Sequence, residues 1–181
     1  VGAGAVGLEF SQFFSRMGCQ VTLLEIMDTI APSEDPDMVK QLVRGYGKQI
    51  KILTRTKVQS LAKDDQGVTL ELDNGQSLQV EKVLVSVGRK PCSPDLGLEA
   101  LGAELAGPGY LKTDDNLQAC QGVFAVGDVN GRTLLAHAAA HQARYVVRQI
   151  AGKHDGSYSP GPIPFCIYGH PEAMRVGPTA K

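Results

Sequence analysis

The sequence predicts an α/β fold: a parallel sheet with covering helices, followed by a β-meander. Three observations carry this expectation. A glycine-rich turn, Gly2-Ala3-Gly4-Ala5-Val6-Gly7, opens directly into a segment of helical apolar period. A short β-type run, Val21 to Leu24, follows that segment and ends at Glu25. Beyond Ile50 the apolar period drops to two, and Asn74-Gly75 separates two alternating runs, because both positions tolerate positive φ.

Each element has its own signal. The first helix is expected over residues 5–17, with Val6, Phe10, Phe13, Phe14 and Met17 on one face and Gly18 at its C-terminal cap. A second helix starts at Asp35 as N-cap with Pro36 in the first helical position. Met38, Val39, Leu42, Val43 and Tyr46 form its buried stripe, and Gly45 and Gly47 weaken its end. Ile50 and Ile52 alternate with polar residues, as do Val68, Leu70 and Leu72, with Leu78 and Val80 on a return strand. Residues 82–87 are nearly continuously apolar, as a buried parallel strand would be. Val123 to Val126 reads as another buried strand, and a long helix is expected from Thr133 to Ala151, stopped by Gly152. The pattern is a Rossmann-type parallel sheet with a β-meander. Three segments are expected: 1–90 as a nucleotide-binding domain, 91–160 as a crossover plus part of a second domain, and 161–181 as the start of an interface domain. A Gly/Pro/Ser linker runs from Asp155 to Pro164.

Composition narrows the function classes. A formal net charge of −1 gives no electrostatic reason to bind nucleic acid or an anionic membrane, and no apolar run is long enough to span a bilayer. Cys19, Cys92, Cys120 and Cys166 are scattered with no CxxC spacing, which favours reduced thiols and a cytoplasmic setting. His137 and His141 lie i, i+4 on one helix face, but no third ligand stands at sensible spacing from them or from His154 and His170, so no metal is expected. The glycine turn normally follows a strand, and here that strand is one residue or none, so the chain is read as a fragment.

The GxGxxG turn carries the chemistry. Gly2 allows the tight turn, Gly4 lets a pyrophosphate approach the backbone, and Gly7 lets helix and strand pack closely. The phosphates would sit at the helix N-terminus, over the amides of Ala5 and Val6. Glu25, at the end of the next strand, is placed to accept bonds from an adenosine ribose. A carboxylate there repels a ribose 2′-phosphate, and no Lys or Arg occurs from Ile26 to Val39, so NAD(H) is favoured over NADP(H). Glu9 has two equal readings: pairing with the helix dipole, or contact with the nicotinamide end. Asp128, at a strand's C-terminal end, is either a turn cap or an acceptor for a polyol such as a ribityl chain. The helix that begins near Leu134-Leu135-Ala136-His137 could stabilise negative charge on a reduced flavin.

Taken in order, Val1-Gly-Ala-Gly-Ala-Val-Gly-Leu-Glu9, Glu25, Thr56-Lys57-Val58, Val87-Gly88-Arg89-Lys90-Pro91, Val123 to Asp128, Leu135-Ala136-His137 and Ile167 to Glu172 resemble the landmarks of the flavoprotein disulfide reductases. This class includes dihydrolipoamide dehydrogenase, glutathione reductase and mercuric reductase. The resemblance spans nearly the whole chain. It implies that Gly2 to Gly7 hold the NAD pyrophosphate, Glu25 the adenosine ribose and Glu9 the nicotinamide end. It implies that Val58 and Gly88 line the NAD site, although a core valine is an equally plain reading of Val58. It also implies that Asp128 bonds the ribityl chain of FAD and that Leu134, Leu135, Ala136 and His137 place amides near the flavin.

The resemblance further implies hydride transfer between NAD(H) and flavin. It implies a homodimer, and a 2-oxoacid dehydrogenase or glycine cleavage complex as the assembly. The NAD preference points to the lipoamide branch, which oxidises dihydrolipoamide. The family's FAD pyrophosphate motif, its CxxxxC disulfide and its His-Glu pair do not occur in this chain, so no catalytic residue is expected within it. Ala138 stands where the lipoamide branch often has Lys, and His141-Gln142-Ala143 replaces an acidic, glycine-containing pattern. The alternatives are a stand-alone NAD-binding module and another reductase of the class, such as a transhydrogenase, mercuric or glutathione reductase.

Overall fold

The computed structural model describes residues 1–153 and 156–180. His154, Asp155 (the first residue of the expected linker) and Lys181 lie outside the described residues. In chain order the elements begin with α1 (Ala5–Arg16), β1 (Thr22–Leu24), α2 (Pro36–Tyr46), β2 (Lys51–Leu53), β3 (Val58–Asp64), β4 (Gly67–Leu72) and β5 (Ser77–Val80). They continue with β6 (Leu105–Ala106), β7 (Tyr110–Leu111), β8 (Gln118–Cys120), β9 (Val123–Phe124), α3 (Ala136–Ile150), β10 (Pro164–Ile167) and β11 (Ala173–Val176). The chain divides into two compact units: Val1–Gly88 with Pro164–Lys181, and Arg89–Ile163.

In the first unit, β1 and β2 pair in parallel, Thr22 opposite Lys51 and Leu24 opposite Leu53. The Gly2 amide donates to the Leu24 carbonyl (2.8 Å), and the Ser86 amide donates to the Val1 carbonyl (2.8 Å). Val1 and Gly2 therefore run between β1 and the extended segment that ends the unit. That segment, residues 82–87, was expected to be a buried strand. It is instead extended chain outside any assigned ladder, with Leu84 exposed on one side and Val85 and Val87 on the other.

Leu8, Leu23, Ile30, Leu42, Tyr46, Ile50 and Ile167 form the main core. Burying each such side chain contributes about 1.5–3 kcal/mol. Helix α2 follows its expected stripe at Val39, Leu42 and Tyr46, while Val43 turns outward. Pro36 takes the first-turn position, but the Asp35 carboxylate does not cap the helix and accepts the Ala180 amide instead (2.7 Å). The aromatic face expected of α1 differs in kind. Phe10, Phe13 and Phe14 are 44%, 54% and 38% exposed, and the helix buries Gly7, Leu8, Ser11 and Gln12. The aromatic stripe is amphipathic in period, but the core takes Leu8 from another edge of the helix, and Gln12 faces the C-terminal hairpin.

The meander β3–β4–β5 is antiparallel, and Gly75 in the β4–β5 turn has φ +78°. Leu70 and Leu72 pack with Leu24, joined by Leu53, Val58 and Val80. Strand β3 escaped the sequence reading because its residues beyond Val58 are exposed and show no apolar alternation. The β10–β11 hairpin is antiparallel, with Cys166 opposite Met174. It is fastened to this unit by Arg175, whose Nε donates to Glu34 Oε2 (2.8 Å), and by the Gln12 side chain, which donates to the His170 carbonyl (2.8 Å). A Cβ on Gly45 would collide with Pro171, so this glycine admits the hairpin as well as weakening a helix end.

In the second unit, β6 pairs with β7 and β8 with β9, all antiparallel. The strand expected over Val123 to Val126 is only two residues long. The Ala125 amide donates to the Leu117 carbonyl (3.0 Å), and its carbonyl accepts the Asn130 side chain (2.9 Å), so a side chain takes the place of a ladder. Helix α3 begins at Ala136, later than expected, because Leu135 is extended (φ −137°, ψ 134°).

Candidate functional site

The glycine turn is built from three demands. Gly2 has φ +97°, a left-handed conformation that favours glycine, and a Cβ there would strike the Ser86 carbonyl. A Cβ on Gly7 would strike the Gly2 carbonyl. Gly4 differs: its φ is −72°, and a Cβ there would meet no protein atom within 4 Å. The fold requires glycine at 2 and 7, whereas the space beside Gly4 is open. Ser86 braces the turn, donating to the carbonyls of Val1 (3.0 Å) and Gly2 (3.1 Å).

Helix α1 starts at this turn. Its first backbone bond runs from the Leu8 amide to the Gly4 carbonyl (3.0 Å), so the amides of Ala5, Val6 and Gly7 precede the helical ladder. The helix has no side-chain cap and no acid in its first turn. An uncapped N-terminus beside an open glycine is a cradle for an anionic group such as a pyrophosphate.

Glu25 is buried at the end of β1. Its Oε2 accepts the Ala3 amide (2.7 Å) and its Oε1 the Met27 amide (2.9 Å). Both oxygens retain acceptor capacity for hydroxyl donors. Glu9 stands one turn into α1, and its carboxylate accepts the Tyr168 amide (2.9 Å) from the C-terminal hairpin. Val58 opens β3 and packs with Leu72 and Leu24, while Gly88 ends the unit with φ +124°.

The second unit gathers the remaining predicted residues. A short 3₁₀ turn, Gly127–Asn130, carries Asp128, whose carboxylate is partly exposed and lies 3.9 Å from Arg89 Nε. Arg89, Lys90, Tyr110, Asp128 and Leu134 line a cleft of about 240 Å³. A carboxylate accepts hydroxyls and two cations attract phosphates, so the donor set suits a phosphorylated polyol. Helix α3 also begins without a side-chain cap or an acid in its first turn, with Leu135 as its N-cap residue and Ala136 and His137 as its first residues. Sequence reasoning named Arg89 and Gln142 without a role and missed Ser86 and Asn130. A signal for Gln142 was present: Ala138, Gln142 and Val146 form the buried i, i+4 ladder of α3, and one rung is polar.

A parallel sheet with a glycine turn at the N-terminus of the following helix, and an acid closing the next strand, defines a dinucleotide-binding oxidoreductase type of fold. The chain belongs to the pyridine nucleotide-disulphide oxidoreductase family, whose sequence profile matches residues 1–143. That family uses FAD and NAD. Dihydrolipoyl dehydrogenase 3 of Pseudomonas aeruginosa is 36% identical over 183 residues, which is 98% of this chain and 39% of that protein. Mitochondrial dihydrolipoyl dehydrogenase 1 of Arabidopsis thaliana is 37% identical over 188 residues, 100% of this chain and 37% of that protein.

Among solved structures, LpdA of Mycobacterium tuberculosis superposes with a TM-score of 0.91 at 26% identity, covering 97% of this chain and 39% of that one. The HOCl-induced flavoprotein disulfide reductase RclA of Escherichia coli, as its Cu(II) complex, superposes with a TM-score of 0.91 at 25% identity, covering 99% of this chain and 41% of that one. The chain thus spans about two fifths of the length of the relatives it matches. Among the described residues no helix is long and apolar enough to cross a membrane, and no group of three or more metal-ligating side chains comes together.

Proposed function

We propose that this chain supplies the NAD(H) site and part of the FAD site of a dihydrolipoamide dehydrogenase, in which dihydrolipoamide is oxidised and NAD reduced by way of the flavin. The observation that carries this is the open space at Gly4, over an uncapped helix N-terminus and next to a turn held by Glu25. The amides of Ala5, Val6 and Gly7 hold the pyrophosphate, Glu25 the adenosine ribose and Glu9 the nicotinamide end, with Val58 and Gly88 along the nucleotide. The names of the relatives support the lipoamide branch. FAD, when bound, passes electrons between a dithiol and the nicotinamide. Asp128 would accept its ribityl hydroxyls, and the α3 N-terminus from Leu134 to His137 would offer backbone amides to its ring.

Cys19, Cys92, Cys120 and Cys166 are free thiols, which fits a reducing, cytoplasmic setting and a redox disulfide supplied from elsewhere in the protein. The protein works as a homodimer within a 2-oxoacid dehydrogenase or glycine cleavage complex. Titration with NADH and NADPH, on this chain and on E25A, tests the reading. Preferential NADH binding that weakens in E25A is expected. Equal binding of both nucleotides, or an E25A form as tight as the parent, would overturn it.

A further inference from the structure

Gln142 is 1% exposed, at the centre of the buried face of α3. Its side-chain oxygen accepts two bonds, from the Gly127 amide (2.7 Å) and from Asn130 Nδ2 (2.8 Å). Both are obligate donors, so the orientation of the Gln142 amide is fixed with its oxygen toward the turn. Its nitrogen is then turned away from that turn, and the Gln142 side chain is a neighbour of the Tyr158 hydroxyl. Tyr158 in turn meets His141 Nδ1 at 3.3 Å. Asn130 extends the network along the turn: it donates to the Ala125 carbonyl (2.9 Å) and accepts the Arg132 amide at its oxygen (3.0 Å).

The turn has little slack against the helix. Gly127 has φ +77°, and a Cβ there would lie 3.2 Å from Ala139 Cβ. Gln142 thus pins the Val126–Gly127 peptide plane, one Cα before the plane from which the Asp128 backbone starts.

We propose that Gln142 is the positioning residue of this site: by holding the Gly127 amide and Asn130 together, it fixes the carboxylate of Asp128 against its flavin ligand. This rests on the reading of Asp128 as the ribityl acceptor. The chemistry explains the residue type. An acceptor is needed on one side and a hydrogen-bonding group for the Tyr158 hydroxyl on the other. A carboxylate meets both needs, because the tyrosine can turn to donate. A leucine of similar size meets neither and leaves a buried amide without a partner.

The test uses the protein at its natural length, stripped of FAD and titrated with it. FAD fluorescence reads the dissociation constant, and visible circular dichroism reads the flavin environment. Q142L is expected to weaken FAD by about tenfold or more, the equivalent of one lost buried hydrogen bond, and to alter the flavin dichroism. Q142E is expected to restore both. V146A, on the same buried ladder, loosens the helix by packing alone and is expected to leave FAD affinity and dichroism unchanged while lowering the melting temperature. Equal weakening in V146A and Q142L would overturn the proposal, because general loosening would then explain the effect. Parental affinity and dichroism in Q142L would overturn it too. D128A separates the layers: weakened FAD in D128A with parental Q142L sinks the positioning role alone, whereas parental FAD affinity in D128A removes the ribityl reading and the proposal with it.

Discussion

Glu25 accepts the Ala3 amide at 2.7 Å, so the acid that closes β1 also holds the first arm of the glycine turn. A residue read from sequence as a ribose acceptor is thus a structural member of the glycine turn proposed to hold the pyrophosphate. E25A leaves the amides of Ala3 and Met27 without their acceptor, and the buried one costs about 1–3 kcal/mol. Urea melts of E25A should therefore show lost stability together with weaker NADH binding. In E25Q one donor faces an NH₂ group, so its melt should fall between parent and E25A. An E25A protein as stable as the parent would separate the two roles.

Glu34 is fully buried and Arg175 is its partner, with Nε at 2.8 Å and 23% of the arginine side chain exposed. The Arg175 guanidinium also donates to the Gly177 carbonyl (2.7 Å) and lies 5.8 Å from the centre of the Phe165 ring. R175A strands a buried carboxylate, and its cost falls at the low end of about 3–5 kcal/mol because the arginine is not fully enclosed. Limited proteolysis should then cut the β10–β11 hairpin before the rest of the first unit. Cleavage at the parental rate would contradict this.

Among the described residues, the Tyr46 hydroxyl is buried with no hydrogen-bond partner. Burial, helped by Glu9 and opposed by Arg16, pushes its pKa above the usual value of 10.0. The native state then keeps the proton while the unfolded state loses it, so this group costs stability as pH rises from 10 toward the native pKa. Y46F removes an orphaned polar atom and should equal or exceed the parent in stability near neutrality. The gap should widen above pH 10 in melts followed by circular dichroism. A Y46F protein less stable at every pH would mean that the hydroxyl has a partner.

The βα unit was legible because its signals are local. A glycine turn, a helix, an apolar run and an acid follow one another in the chain, and the roles of Gly2 and Gly7 follow from backbone geometry that only glycine tolerates. The Asn74-Gly75 hairpin was legible for the same reason. What escaped depends on partners distant in sequence. The aromatic face of α1 looks like a core stripe, yet the helix buries Gly7, Leu8, Ser11 and Gln12 instead, and Gln12 is held by the His170 carbonyl of the C-terminal hairpin. The 82–87 run is apolar enough for a central strand, but Leu84, Val85 and Val87 stand exposed on alternating sides. Gln142 breaks the apolar period of α3, and only the position of Gly127 and Asn130 shows why.

The most direct measurement is an NADH titration of G4A beside its urea melt. The open space at Gly4 and its ordinary φ allow alanine, so stability should change by no more than about 1 kcal/mol, the size of a helix-capping effect. The added methyl group occupies the place where the proposed function puts the pyrophosphate, so NADH binding should be lost or weakened at least tenfold. A stable G4A protein that binds NADH as tightly as the parent would show that the nucleotide does not lie on this turn.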